Sequence, residues 1–347
     1  MTVSTPERRL LTVDVFTEVA TLGNPVAVVV DSDGLTDDVM RAVAAWTNLS
    51  ETTFLFPPTD PAADYRVRIF TPTEELPFAG HPTLGSAAAW LRAGGTPRSE
   101  RGIVQECGVG LIDIAQDGSG LAFAAPPLVR FGPPDAPTRS AVVASLGIAD
   151  HHVVAMSWVH NGPAWIAALL DEPSTVARLR PATAAGLMIG AAAWHGEPGT
   201  GAGPGQTDLE VRAFFPVGDE LREDPVTGSL NASAAQWLVG AGHFTPPYVA
   251  TQGTALGRAG VVPVRPGVPR QRLRHRRLGE DRHRPGRVRD DRPARPYGER
   301  ATRSNDDRPP RPPRRRHPCR PGAALALLRI GDAGFSGGRI RLPSAAP

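Results

Sequence analysis

Arg68-Ile-Phe-Thr-Pro72, followed closely by His81-Pro-Thr-Leu-Gly-Ser86, is the stretch that decides the fold, because the chain contains a second version of it. The second version reads Arg212-Ala-Phe-Phe-Pro216 and then Asp224-Pro-Val-Thr-Gly-Ser229. Each version leads into an alanine-rich segment that carries a tryptophan. An internal repeat of this kind is the sequence signature of a duplicated structural unit. We therefore expect two related α/β units that face each other across a shared cleft.

The residues around both versions predict the same kinds of element. Runs of β-branched and apolar residues that are typical of strands cover residues 11–16, 25–30, 53–56, 65–70, 152–159 and 165–170. Apolar residues at helical spacing cover residues 35–48, 84–90, 175–180 and 229–239. In the first of these helices we expect Thr36 to lie in the cap region, and Met40, Val43 and Trp46 to share the apolar face.

Charge and composition change abruptly near residue 262. Residues 1–260 hold 15 Arg against 27 acidic residues, whereas residues 261–347 hold 23 Arg against 8, so the net charge of +3 describes neither part. The last segment is also rich in proline and poor in apolar residues, which predicts that it cannot bury a core and lacks stable structure. We therefore divide the chain into units 1–127 and 128–262 and an Arg- and Pro-rich tail, 263–347.

The composition of the tail has a specific explanation in the codons. Arginine codons of the CGN type become GNN when they are read one base later, and GNN encodes Val, Ala, Gly, Asp or Glu. Applied to residues 270–291, that offset permits the alternating pattern of a β-strand. We therefore hypothesise a frameshift near residues 262–270 that leaves the second unit without its last strands.

Composition also excludes several classes of protein. Two cysteines, Cys107 and Cys319, are too few for a disulfide framework or a four-thiolate metal site. The N-terminal residues lack the apolar core of a signal peptide, and no run of about 18 apolar residues follows, so we expect a cytoplasmic protein without a membrane partner. The tail contains no lysine and no interleaved aromatic residues, which argues against a nucleic acid partner.

Both versions of the repeat place a polar residue before proline at a predicted helix start. Proline is favoured in the first turn of a helix, and the backbone N–H groups of Gly80-His81 and of 226–229 would have no partner within their helices. Two such helix starts that converge on one cleft would bind an anion, most simply the carboxylate of a substrate. In the alternative interpretation, His81 and Asp224 are helix caps and nothing more.

Several segments in order along the chain resemble the phenazine-biosynthesis PhzF-like isomerase family. They are Asn48-Leu-Ser-Glu-Thr-Thr-Phe54, Glu75-Leu-Pro-Phe-Ala-Gly-His-Pro-Thr-Leu-Gly85, Gln105-Glu-Cys-Gly108, Glu223-Asp-Pro-Val-Thr-Gly-Ser229 and Thr251-Gln-Gly-Thr-Ala-Leu-Gly-Arg258. The resemblance covers residues 10 to about 260. It implies a diaminopimelate-epimerase-like α/β (α+β) fold with two pseudo-symmetric domains, each a strongly bent sheet around a central helix. It also implies chemistry without a cofactor and a homodimer.

The resemblance further implies the roles of particular residues. The implied catalytic residues are Glu51, His81, Asp224 and Ser229, and the implied substrate-binding residues are Ser50, Gly80 and Gly228. Chemistry supports the choice of Glu51, because a carboxylate partly withdrawn from water can remove and return a proton when its pKa is raised towards neutrality. Without the resemblance, Glu51 would be interpreted as a surface carboxylate at a helix end, and His81 as a structural histidine.

The resulting functional hypothesis is a cofactor-independent isomerase that moves a proton on a small amino-acid-derived carboxylate, with Glu51 as general acid and base and with no metal. One alternative is a catalytically inactive binding protein with the same pocket, because a fold carries a pocket more reliably than a reaction. A second alternative is an amino-acid epimerase or racemase with two facing cysteines. Cys107 lies outside both helix-start motifs, which argues against that second alternative.

Overall fold

The computed structural model describes residues 6–100, 102–117, 120–181, 185–196, 207–266, 324–328 and 335–343. The first half of the fold consists of β1 Glu7–Val15, β2 Asn24–Val29, α1 Asp37–Thr47, β3 Thr52–Phe56, β4 Tyr65–Phe70, β5 Glu75–Leu76, α2 Gly80–Arg92, β6 Ile103–Cys107, β7 Gly110–Asp117 and β8 Gly120–Ala124. The second half consists of β9 Arg130–Gly132, α3 Ala136–Leu146, β10 Val153–His160, β11 Trp165–Leu170, α4 Pro173–Arg178, β12 Met188–Trp194, β13 Leu209–Val217, β14 Glu220–Asp224, α5 Gly228–Gly240, β15 Tyr248–Gln252, β16 Gly260–Pro266 and β17 Ala324–Leu328. A last strand, β18 Phe335–Arg341, follows them.

The pairing of the strands repeats from one half to the other. In the first half β1 and β2 are antiparallel, β2 and β3 parallel, and β3 and β4 antiparallel; β4 then pairs with β5 and, in parallel, with β6, before β6, β7 and β8 form a meander. The second half repeats these directions with β10 to β17 in the same order. The predicted duplication is therefore confirmed at the level of topology.

Two strands from the predicted tail belong to this sheet. β17 pairs with β16 on one side and with β8 on the other, so it joins the two halves. β18 pairs with β1 in the way that β9 pairs with β10. The expectation that the chain past about residue 265 lacks stable structure is therefore wrong for residues 324–328 and 335–341, because backbone groups of existing strands give these segments partners. The intervening residues of the tail lie outside the described part of the chain.

Each half wraps its sheet around one central helix. α2 packs against β1, β2 and β3, and α5 packs against β10, β11, β16 and β17. Both helices are rich in small residues, which lets the surrounding strands approach closely. A Cβ atom added at Gly85 would lie 2.3 Å from a methyl group of Val26, so only glycine fits there. The expected fold class of two pseudo-symmetric α/β halves is thus confirmed.

Helix α1 agrees with its predicted ends but not with its predicted face. Thr36 caps it by accepting a hydrogen bond from the backbone N–H of Val39, and Met40 and Val43 are buried. Trp46, which we expected on the same face, is 70% exposed. Six residues at about 100° each turn Trp46 by roughly 120° from Met40, which carries it off the buried arc. No helix among the described residues is long and apolar enough to span a membrane.

The strand pairing also corrects the alignment of the two repeats. Arg68 makes a bidentate ion pair with Glu75, and Arg212 makes the same pair with Glu223. Both glutamates stand five residues before the glycine that begins the central helix, so segment 75–81 corresponds to segment 223–229. The counterpart of Asp224 is therefore Leu76 rather than His81.

This register moves Asp224 away from the position that we predicted for it. It ends strand β14 and lies four residues before Gly228, the first residue of α5. The proline that follows Asp224 is likewise outside the helix, which is why the preference of proline for a first helical turn misplaced the helix start. His81, by contrast, does lie in the first turn of α2.

Candidate active site

The first turns of the two central helices touch each other. A Cβ atom added at Gly80 would lie 3.6 Å from the backbone nitrogen of Ser229, and one added at Gly228 would lie 3.4 Å from the backbone nitrogen of His81. Neither helix has a side-chain cap. Because N–H groups in the first turn lack partners within the helix and carry a partial positive charge, the two adjacent starts favour a bound anion.

Glu51 and His81 face each other beside these helix starts. Asn48 ends α1 in the left-handed conformation, and the chain then turns into β3 with Glu51 immediately before it. Glu51 Oε2 lies 3.4 Å from His81 Nε2, and the two side chains are 16% and 5% exposed. Neither atom makes a hydrogen bond within the described structure. The geometry therefore holds a carboxyl group and an imidazole together, away from water.

Burial sets the protonation of this pair. Loss of hydration, together with the smaller effect of the negative charge of Asp224, raises the pKa of Glu51 to about 8. Loss of hydration also lowers the pKa of His81 to about 3, against the opposing effect of a hydrogen bond to the carbonyl of Pro25. At neutral pH the pair thus holds one proton, which resides on Glu51, and the imidazole is neutral. A carboxyl group in this state can donate a proton and, once ionised, accept one.

Asp224 is held from both halves of the molecule. Its Oδ1 accepts hydrogen bonds from Asn24 Nδ2 at 3.1 Å and from Ser50 Oγ at 3.5 Å, and its Oδ2 accepts one from Thr227 Oγ1 at 2.5 Å. Burial raises the pKa of Asp224 to about 6, and the hydrogen bonds limit that rise. Because Ser50 directly precedes Glu51, the contact fixes Asp224 beside the Glu51 and His81 pair.

Two amide side chains that the sequence analysis did not assign complete this arrangement. Gln252 Nε2 donates to the carbonyl of Asp224, and Gln252 Oε1 accepts from the backbone N–H of Thr227. Asn24 Nδ2 donates to the carbonyl of Val226 as well as to Asp224. Gln252 lies in a segment quoted for the family resemblance and Asn24 directly precedes the predicted strand 25–30, but neither pattern shows which distant loop the side chain contacts.

Ser229 lies in the first turn of α5 and is held by two residues of the second half. Trp165 Nε1 donates to Ser229 Oγ at 3.0 Å, and Asn161 Nδ2 donates to the carbonyl of Ser229 at 3.3 Å. The structure thus brings together all seven residues that we singled out, namely Glu51, His81, Asp224, Ser229, Ser50, Gly80 and Gly228.

Cys107 stands outside this cluster. It ends β6, where its thiol donates to the carbonyl of Gly110, and burial raises its pKa above the ordinary value. Cys319 lies outside the described residues. Within the described ranges, no three His, Cys, Asp or Glu side chains are grouped so that they could hold a metal ion.

Comparison with known proteins identifies the family. The family model described as phenazine biosynthesis-like protein matches residues 13–277. The chain belongs to this family. It is 36% identical over 259 residues to an uncharacterised isomerase of Mesorhizobium japonicum, with 69% of this chain and 82% of the relative covered. It is 32% identical over 257 residues to trans-2,3-dihydro-3-hydroxyanthranilate isomerase of Pseudomonas fluorescens, with 71% and 86% covered.

Solved structures of PhzF proteins share the fold. The crystal structure of a PhzF-family phenazine biosynthesis protein from Bacillus anthracis matches with a TM-score of 0.62 at 20% sequence identity, over 75% of this chain and 90% of that one. At this level of identity the match establishes the architecture of this PhzF-family chain and not its reaction.

Proposed function

We propose that this PhzF-family protein is a cofactor-independent isomerase that moves a proton between two carbon atoms of a small amino-acid-derived carboxylic acid. The observation that carries the proposal is the Glu51 carboxyl group, which is buried against the His81 imidazole and beside Asp224 and has a pKa of about 8. Relatives that are named isomerases, one of them acting on trans-2,3-dihydro-3-hydroxyanthranilate, support the reaction class.

The carboxylate of the substrate would bind where the two helix starts meet. Gly80 and Gly228 let the two helix starts lie in contact, and the two partial positive charges that meet there favour an anion. Binding there would place the carbon chain of the substrate near Glu51, since His81 belongs to the same helix turn and contacts Glu51.

A single side chain both removes the proton and returns it. Ionised Glu51 removes a proton from a C–H bond next to an unsaturated system, and the electron pair of that bond is delocalised over the system. The protonated Glu51 then returns the proton to a different carbon, which regenerates the carboxylate and gives an isomer of the substrate. Neutral His81 stabilises the carboxyl proton through the lone pair of Nε2, and Asp224 orients a polar group of the substrate.

The same geometry bears on the two alternatives. A thiol-based epimerase, which uses two facing cysteines, is disfavoured because Cys107 is the one cysteine among the described residues and its thiol donates to the carbonyl of Gly110. A carboxyl group that is buried without a hydrogen bond and has a raised pKa is unfavourable for stability, and such groups are found mainly at catalytic sites. This feature of Glu51 therefore favours an enzyme over a binding protein without activity. We also propose that the enzyme acts in the cytoplasm as a homodimer, and light scattering of the purified protein tests the dimer.

The test follows deuterium from heavy water into a panel of small unsaturated amino-acid-derived acids by proton NMR. We expect incorporation into one class of acid, and a loss of at least about a thousandfold in rate in Glu51→Gln. Glu74→Gln, at an exposed glutamate, is the matched control and should exchange at the wild-type rate. Undiminished exchange in Glu51→Gln would remove Glu51 from the catalytic role, and no exchange into any acid would favour a binding protein.

A further inference from the structure

Asn161, in the turn between β10 and β11, has one end of its amide without a partner. The side chain is 8% exposed. Its Nδ2 donates to the carbonyl of Ser229, which fixes the orientation of the amide because the opposite orientation would set two oxygens against each other. Its Oδ1 is buried and makes no hydrogen bond within the described structure. A buried acceptor of this kind is unfavourable until it meets a donor.

The hydroxyl group of Ser229 has the complementary property. The indole N–H of Trp165 can only donate, so Ser229 Oγ is the acceptor of that hydrogen bond. The hydroxyl hydrogen is therefore directed elsewhere, and it is not directed at Asn161 Oδ1, which has no partner. Asn161, which contacts the start of α5, thus offers an acceptor, and Ser229 in that first turn offers a donor.

The other two unpartnered polar atoms of the site differ from Asn161 Oδ1. Glu51 Oε2 and His81 Nε2 lie 3.4 Å apart, so a single proton can satisfy both. Asn161 Oδ1 has no such neighbour in the described structure, and a neutral amide oxygen cannot acquire a proton at ordinary pH. Its partner must come from outside the protein.

We infer that Asn161 is a specificity-determining residue whose Oδ1 accepts a hydrogen bond from an amino or hydroxyl group on the substrate, while Ser229 Oγ donates to an acceptor of the same molecule. The inference rests on the proposed function and names the side chain that would select a substrate with such a donor group. Trp165 is a positioning residue, because it acts on the substrate only through Ser229.

The first test compares three acids as ligands of the wild-type full chain by titration calorimetry: 2-aminobenzoate, benzoate and 2-methylbenzoate. 2-Aminobenzoate offers a donor beside the carboxylate, and 2-methylbenzoate fills the same space without one. We expect 2-aminobenzoate to bind at least about tenfold more tightly than 2-methylbenzoate, because a site built around a hydrogen bond rejects the analogue that lacks it. Equal affinities, or no binding of any of the three acids, would overturn the inference, and this comparison does not depend on a variant.

The second test repeats the titrations on Asn161→Ala and Trp165→Phe after circular dichroism has checked their folding. Asn161→Ala should lose the preference for 2-aminobenzoate and bind benzoate within about twofold of the wild type. Trp165→Phe should weaken the binding of both acids by a similar factor and keep the preference for 2-aminobenzoate. A preference that persists in Asn161→Ala would overturn the role of Asn161. If that happens while deuterium exchange still depends on Glu51, only this inference fails; absence of exchange into every acid is the separate failure of the proposed function.

Discussion

The two helix starts that form the site share a backbone and differ in chemistry. Segments 75–81 and 223–229 both run from a glutamate paired with an arginine, through a proline, to a glycine that begins a buried central helix. The residues that differ between corresponding positions are Leu76 and Asp224, Phe78 and Val226, Ala79 and Thr227, and His81 and Ser229. The two helix starts thus share their backbone course, and the side chains around them differ.

The difference between the two starts bears on the reaction that they would support. Inversion of one carbon by two bases calls for proton-transferring groups on both sides of the substrate, whereas movement of a proton along one face needs a single group. The first half carries Glu51 and His81, and the second half carries the hydrogen-bonding groups of Asp224 and Ser229. This division favours the proposed isomerase over an epimerase that uses two equivalent bases.

The largest expected difference between the halves concerns their matched ion pairs. The side chains of Arg212 and Glu223 are 5% and 9% exposed, against 23% and 37% for Arg68 and Glu75. Arg212→Met should lower the free energy of unfolding by about 3–5 kcal/mol, because it leaves a carboxylate buried without its cation. Arg68→Met should lower the free energy of unfolding by about 1 kcal/mol or less, because its ion pair is more exposed. Urea unfolding measures both, and equal costs would contradict the difference in burial.

A smaller effect is expected in the pH dependence of stability. The pKa of Glu51 is about 8 in the folded protein against an ordinary 4.5. Its contribution to the free energy of unfolding is therefore fully present below pH 4.5 and is lost as the pH rises through 8. His81 has the opposite effect, because its pKa is lowered to about 3 from an ordinary 6.5. It makes the free energy of unfolding rise with pH only up to about pH 6.5 and adds no slope above it. Between pH 6.5 and 8 the free energy of unfolding of the wild type should therefore fall by about 2 kcal/mol more than that of Glu51→Gln.

Urea unfolding of the wild type, Glu51→Gln and the control Glu74→Gln at these two pH values checks this slope. Glu74 is exposed, so Glu74→Gln should follow the wild type. A slope that survives unchanged in Glu51→Gln would mean that another group causes it.

The smallest expected effect concerns the residue that distinguishes the second helix start. Asp224→Asn keeps the shape of the side chain but removes the charge that raises the pKa of Glu51. We expect kcat/KM to fall by about tenfold, since one of the hydrogen bonds to Asp224 loses its acceptor. The acidic midpoint of the pH–rate profile, at which activity rises as Glu51 ionises to the base that removes the proton, should move below about 8. Asp38→Asn, at an exposed position of α1, serves as the control, and an unmoved midpoint in Asp224→Asn would contradict the coupling.

Much of this architecture could be predicted from the repeat and from local patterns. The run from Trp165 to Leu170 is a strand with the predicted ends, and Thr36 caps α1 as expected. The register of the repeat could not be predicted, because β14 is longer than β5 and the two Pro-containing motifs align better when shifted by five residues. Strand pairing, which no local motif encodes, was needed to align Glu75 with Glu223.

The sequence could nominate site residues but not their partners. Glu51 and His81 came from the family resemblance, while Asn24, Asn161, Trp165 and Gln252 became visible only through contacts between distant segments. Composition also misjudged the tail, because strands β17 and β18 pair with strands that lie far from them in the sequence. The frameshift hypothesis and the division at residues 127 and 262 remain our proposals, and resequencing across codons 255–275 tests the first.

The protonation of Glu51 is the central claim of this account, and it can be measured directly. Carbon-13 NMR of protein labelled at the glutamate carboxyl carbons, titrated from pH 4 to 10, follows each group, and the resonance missing from Glu51→Gln identifies Glu51. We predict a titration midpoint of about 8, well above the ordinary 4.5. A midpoint near 4.5 would show that Glu51 is fully ionised at neutral pH and would contradict the claim that burial keeps a proton on it.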